Sequence, residues 1–227
     1  MNARGGARIG SLVERQTPAE IEREARFLGD LKSHARPGDV VFLPALRVQR
    51  FSNQDYLIPD ESRPPQGPGA LLEQERLIAV EEGARLIEYI KGLGLTVILE
   101  APKPVFRTPP FRVADSFNRM NPIRLGGLKL EREFLYRHRR MAMQSLEEMV
   151  RRFDNTEIWD PFPVLCPDEE CCAYDAELPM FFDGDHLSSY GNRKLYPDFV
   201  RALERVWGDG CDEVRSKDGP TAGPVGR

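Results

Sequence analysis

The chain has 227 residues, with 32 basic against 36 acidic side chains and a net charge of −4. That mixed balance leaves no electrostatic footprint for nucleic acid or an anionic membrane, so a small or neutral-to-polar partner is expected. Its length suits one sizeable α/β domain over residues 17–207, with an irregular N-terminus (1–16) and a disordered tail (208–227). No apolar run reaches the roughly 18 residues of a membrane span, and MNARGGARIGSLVERQ lacks the apolar core of a signal peptide.

Residues 18–36 place Ile21, Ala25, Leu28, Leu31 and Ala35 on one helical face, behind Thr17 as N-cap and Pro18 as first helical residue. His34 falls at the helix end, where a cation suits the dipole. Pro37-Gly38-Asp39 then turns the chain, and VVFLPA reads as a strand covered on both faces. Arg47 and Arg50 follow it; either could hold an acyl carbonyl or a glycan carboxylate, but pairing with a nearby Asp or Glu is the stronger expectation.

Residues 52–69, rich in proline, glycine and polar side chains, read as a long exposed loop. A helix over 70–92 carries Leu72, Ile78, Leu86 and Ile90 and ends at Gly92 and Gly94, after which LTVIL (95–99) is a second buried strand. The prolines of 101–128 rule out a long helix there. A third helix spans 131–153 with Leu135, Ala142, Leu146 and Met149 on one face. Arg137, His138, Arg139 and Arg140 spread around its circumference and read as solvated. Glu157–Trp159 is a short third strand, Met180–Phe182 a fourth, and 188–207 a last helix bent at Pro197. The alternation predicts a parallel sheet with helices on both faces and active groups beyond the strands' carboxyl ends.

Four cysteines, Cys166, Cys171, Cys172 and Cys211, lie in the last third of the chain. The C-x4-C spacing with no second pair or nearby His argues against zinc, which leaves a small disulfide loop closed over a Pro-Asp-Glu-Glu turn, or reduced thiols.

The stretch FFDGDHLSSYG (181–191) contains an Asp-x-x-His pair, Asp183 and His186. A carboxylate three residues before an imidazole, on a turn into a helix, can accept the Nδ1 proton and present Nε2 as a general base. Asp185 also neighbours the ring, but adjacent residues on such a turn usually diverge, so Asp183 is the expected partner. Taken alone, the pair is more often a helix cap beside a surface histidine. A metal site built from Asp183, Asp185 and His186 finds no supporting histidine cluster, and none is expected.

The wider run VLCPDEECCAYDAELPMFFDGDHLSSYGNRKLYP resembles the C-terminal end of SGNH (GDSL-type) domains, especially the extracytoplasmic ones fused to acyltransferase-3 membrane proteins that O-acylate cell-envelope glycans. The resemblance lies in a cysteine pair, an aromatic strand, then D-x-D-H-L-S and a glycine. RPGDVVFLPALRVQRF looks more loosely like that family's strand and arginine-bearing loop, and FNRMNPI like its lid segment. The resemblance implies a three-layer α/β/α, flavodoxin-like parallel sheet, with Asp183 and His186 as two members of a Ser-His-Asp triad and Cys166–Cys171 as a disulfide. It implies acyl-serine chemistry without metal or organic cofactor, an acylated carbohydrate or acyl donor as partner, a membrane acyltransferase domain nearby, and the periplasmic face.

The family's Gly-Asp-Ser nucleophile motif does not occur in this sequence, and its Gly-x-Asn oxyanion donor is missing, with Arg47 or Asn53 as substitutes. Gly10-Ser11 is a poor imitation, because NARGGARI is not a buried strand. Either the sheet lacks its first strand, with the serine outside this chain, or the domain has lost acyl transfer and binds a glycan or partner. The first is the favoured expectation, because losing an inner strand exposes ladder edges and apolar faces.

Overall fold

In the computed structural model, residues 18–44, 70–106, 109–110 and 128–207 are described. Helix α1 (Pro18–His34) leads through a turn to strand β1 (Val40–Leu43), and helix α2 (Ala70–Gly92) leads to β2 (Thr96–Glu100). The two turns support each other: the Gly38 N–H donates to the Gly94 carbonyl at 2.9 Å. Gly38 and Gly94 have φ of 93° and 77°, which side chains other than glycine rarely adopt. After β2 come β3 (Lys129–Glu131), α3 (Arg132–Val150), β4 (Thr156–Trp159) and the single-turn α4 (Phe162–Leu165). Then follow β5 (Glu170–Cys172), β6 (Tyr174–Asp175), β7 (Leu178–Pro179) and α5 (Ser189–Trp207).

Strands β1, β2 and β4 form a parallel sheet in the order β1-β2-β4, with Val41 opposite Val97 and Leu99 opposite Ile158. Side chains of a strand alternate between faces, and each face here meets its own helices. Val41, Leu43, Val97 and Leu99 join Ile87 and Ile90 of α2 and Ala142, Leu146 and Met149 of α3, with Phe27, Leu28, Leu31 and Ala35 packed alongside. Val40, Phe42, Ile98 and Trp159 face the other way, toward Leu195, Phe199 and Ala202 of α5. The Phe199 ring lies 4.7 Å from Phe42 and 4.8 Å from Trp159, and the Trp159 indole N–H donates to Asp198 Oδ2 at 2.8 Å. Helices thus cover both faces of the sheet, the expected three-layer α/β/α arrangement.

Several expectations need correction. Met180–Phe182 is not a strand of the parallel sheet, because its backbone is committed locally. The Met180 N–H goes to Ala173 O, the Phe182 N–H to His186 O, and the Ser188 N–H returns to Met180 O. The strands in that region are short antiparallel pairs instead, β3 with β5 and β6 with β7. Ile21 and Ile78 are exposed rather than buried (54% and 41%), and Ala25 is exposed too; the side chain of Leu72 lies outside the described residues. Arg139 is not solvated. It is buried, pairs with Asp160 and donates to the Pro102 carbonyl at 3.1 Å, while its guanidinium carbon stands 4.3 Å from the centre of the Phe162 ring.

The expectations for residues 1–16, the 52–69 loop and the 208–227 tail fall outside the described residues.

Candidate active site

The turn carrying Asp183 and His186 is built by the residues on either side of it. Ser188 caps α5: its Oγ accepts the Gly191 N–H at 3.0 Å and donates to the Pro179 carbonyl at 2.6 Å. Gly191 packs so closely that a Cβ would collide with the Met180 carbonyl oxygen. A single antiparallel bridge joins Phe181 to Leu187, and Phe181, fully buried, sets its ring 5.0 Å from Phe106. The turn itself rests on the segment that follows β2, because the Phe106 N–H donates to the Gly184 carbonyl at 2.7 Å. A Cβ on Gly184 would meet Phe106 O, so only glycine permits this approach. The expected placement beyond a strand's carboxyl end is therefore met through β2 rather than through a strand at 180–182.

Within the turn, Asp183 Oδ1 accepts the backbone N–H of Asp185 at 3.0 Å and of His186 at 2.7 Å. His186 Nδ1 lies 2.8 Å from Asp183 Oδ2 and 3.1 Å from its Oδ1. Partial burial pushes the Asp183 carboxyl up, but the backbone N–H groups of His186 and Asp185 and the side chains of both residues outweigh it and bring the group down to about 2. Asp183 is thus a carboxylate over the whole physiological range. With Nδ1 turned into the loop, Nε2 lies on the opposite edge of a ring whose side chain is 55% exposed.

Asp185 does not diverge from the ring, contrary to the sequence reading: its Oδ1 is 3.1 Å from His186 Nδ1, and its side chain is only 6% exposed. Atoms of Asp183, Asp185 and His186 all lie within 4.8 Å of one another, a spacing a cation could share. The hydrogen bonds of Nδ1 go to Asp183, with Asp185 Oδ1 beside them at ion-pair distance.

Cys166 and Cys171 form a disulfide, five residues apart and with Cα atoms 4.7 Å apart. It joins the end of α4 to β5, and Ala173, just after β5, supplies the carbonyl that holds Met180. Cys172 is a half-buried free thiol. Cys211, Ser11, Arg47, Arg50 and Asn53 lie outside the described residues. The Asp185 contact was missed by the sequence reading, although the doubled acid in D-x-D-H was its visible signal.

No curated protein and no solved structure matches the chain. A family model described as "SGNH domain (fused to AT3 domains)" matches residues 5–201. With that match over most of its length, a three-layer α/β/α sheet and an Asp-x-x-His turn beyond the sheet, the chain belongs to the SGNH domain family of hydrolase- and acyltransferase-like domains.

Proposed function

We propose that this domain transfers or hydrolyses O-acyl esters, acetyl foremost, of cell-envelope carbohydrate, with His186 as general base and Asp183 as its orienter. The observation that carries the reading is the 2.8 Å contact between His186 Nδ1 and a carboxylate held ionised by backbone N–H groups. In the proposed mechanism, Nε2 removes the proton from a serine hydroxyl as its oxygen bonds to the acyl carbon, and the imidazolium so formed is stabilised by Asp183. The same proton then passes to the leaving sugar oxygen as the C–O ester bond breaks. Water or an acceptor hydroxyl releases the acyl group from serine by the reverse sequence. The chemistry needs no metal or organic cofactor. Arg47 and Asn53 are the proposed oxyanion or substrate contacts, and an acyl donor, the acylated glycan and a membrane acyltransferase domain the proposed partners. The Cys166–Cys171 disulfide supports an extracytoplasmic site of action; among the described residues no helix is long and apolar enough to cross a membrane.

The test is turnover of an aryl acetate and an O-acetylated sugar by the native gene product. His186→Ala should lower kcat on the order of a thousandfold or more, and unchanged turnover removes His186 from the mechanism. The absence of a Gly-Asp-Ser motif from the sequence favours a second reading, a glycan- or partner-binding module. That reading gains if the native product binds the acetylated glycan but shows no His186-dependent turnover.

A further inference from the structure

We infer that Asp185 is a second positioning residue for the His186 imidazole, so that two carboxylates rather than one fix its tautomer. The inference rests on the reading of His186 as base for its purpose, but its geometry stands independently.

Of the two Asp183 oxygens, Oδ1 already accepts two backbone N–H groups, at 3.0 and 2.7 Å, which leaves Oδ2 at 2.8 Å as its main contact with Nδ1. The Asp185 Oδ1 lies 3.1 Å from the same nitrogen. Beside the hydrogen bonds of Nδ1 to Asp183, a second carboxylate thus stands within reach of the same nitrogen. The two carboxylates differ in setting. The Asp183 side chain is 32% exposed, whereas that of Asp185 is 6% exposed. Solvent screens the first more than the second.

What brings Asp185 there is the backbone packing of Gly184 against Phe106, which presses the middle of the turn onto the segment after β2. A side chain at 184 would collide with the Phe106 carbonyl oxygen, so the turn could not make that approach. When Nε2 takes a proton, the charge of the imidazolium is spread toward both carboxylates, and neither carboxylate needs to take the Nδ1 proton itself.

The experiment reads the tautomer directly, on the full chain labelled with 15N-histidine at a pH where the ring is neutral. The chain has three histidines, and His186→Gln assigns the resonances. In the native protein Nδ1 should carry the hydrogen, since its neighbours are carboxylate oxygens. Asp183→Asn keeps the carbonyl oxygen that accepts the two backbone N–H groups, so the turn persists. The amide N–H2 of Asp183→Asn then stands where Oδ2 was and donates toward Nδ1, which favours the Nε2–H form. With Asp185 in place a fraction of the Nδ1–H form should survive, and Asp183→Asn with Asp185→Asn should remove it. Equal Nδ1–H fractions in Asp183→Asn and in the double variant overturn the inference. Asp185→Asn alone leaves the Asp183 cradle whole and gives a second reading: the Nδ1 resonance should move, and an unmoved resonance overturns the inference. Turnover separates the two claims. If the tautomer follows both carboxylates while His186→Ala leaves turnover unchanged, the proposed function fails and the role of Asp185 stands.

Discussion

Opening the Cys166–Cys171 cross-link tests whether the small ring braces the domain. The ring spans a sequence separation of 5, about six residues counting both cysteines. The chain-entropy relation gives a loss of roughly 7 cal/mol/K for a ring of that size, about 2 kcal/mol at 25 °C. For a domain of this length that corresponds to a fall in Tm of roughly 4–8 °C. Both sulfurs are fully buried, so replacement by alanine adds a packing loss that reduction does not. The cleaner comparison is therefore oxidised against fully reduced native protein, melted side by side, with intact mass confirming the thiol count. Cys166→Ala and Cys171→Ala should each cost nearly as much as the double variant, since either one abolishes the cross-link; the coupling between them should be about 2 kcal/mol. Equal melting of the oxidised and reduced proteins would refute the reasoning.

Other expected outcomes follow from single contacts. Gly191→Ala drives a Cβ into the Met180 carbonyl, a backbone group that cannot rotate away, and should cost about 1–3 kcal/mol in a denaturant melt; an unchanged midpoint would show that α5 can shift. Ala176 is exposed and has a φ of 52°, so Ala176→Gly should raise stability by up to about 1 kcal/mol, and a loss of stability would contradict that strain. Asp183 is depressed from 3.8 to about 2 in the folded state, so its contribution is complete above pH ~4 and disappears as pH falls toward ~2. Asp183→Asn should accordingly flatten the acid limb of stability in that window while lowering stability at neutral pH; parallel acid limbs for the two proteins would show that Asp183 is not linked to folding.

The parts of the fold legible in the sequence are those whose cause is local. VVFL and TVIL are continuous apolar runs bounded by turns, and a strand covered on both faces has no other pattern to show. Helix α3 announces its buried stripe because Leu135, Ala142, Leu146 and Met149 recur near the helical period and all four are buried. Helix α2 is apolar on more than one side, so periodicity could not choose between Ile78, which is 41% exposed, and Ile87, which is fully buried. Met180–Phe182 has the composition of a strand, yet the acceptors for its N–H groups are at Ala173 and His186, and nothing in three apolar residues says where their hydrogen bonds go. Arg139 sits in a basic run in which Arg137 and Arg140 are exposed and His138 is half-buried; among the described residues Asp160, 21 residues away, and the Pro102 carbonyl make its burial tolerable.

The candidate site divides along the same line. The contact of Asp183 with His186 is an i, i+3 relation inside one turn, so the sequence carries it whole. Asp185 reaches the ring from a turn whose middle is held by a backbone hydrogen bond between Phe106 and Gly184, made across the fold by two segments almost eighty residues apart. Gly184 links the two cases. In the sequence it is an unremarked residue between two acids; in the fold it is the point where absence of a Cβ lets the turn settle against the end of β2. If that packing is what brings the second carboxylate to Nδ1, the spacing between acid and histidine identifies the base, and the residue between the acids decides how firmly it is held.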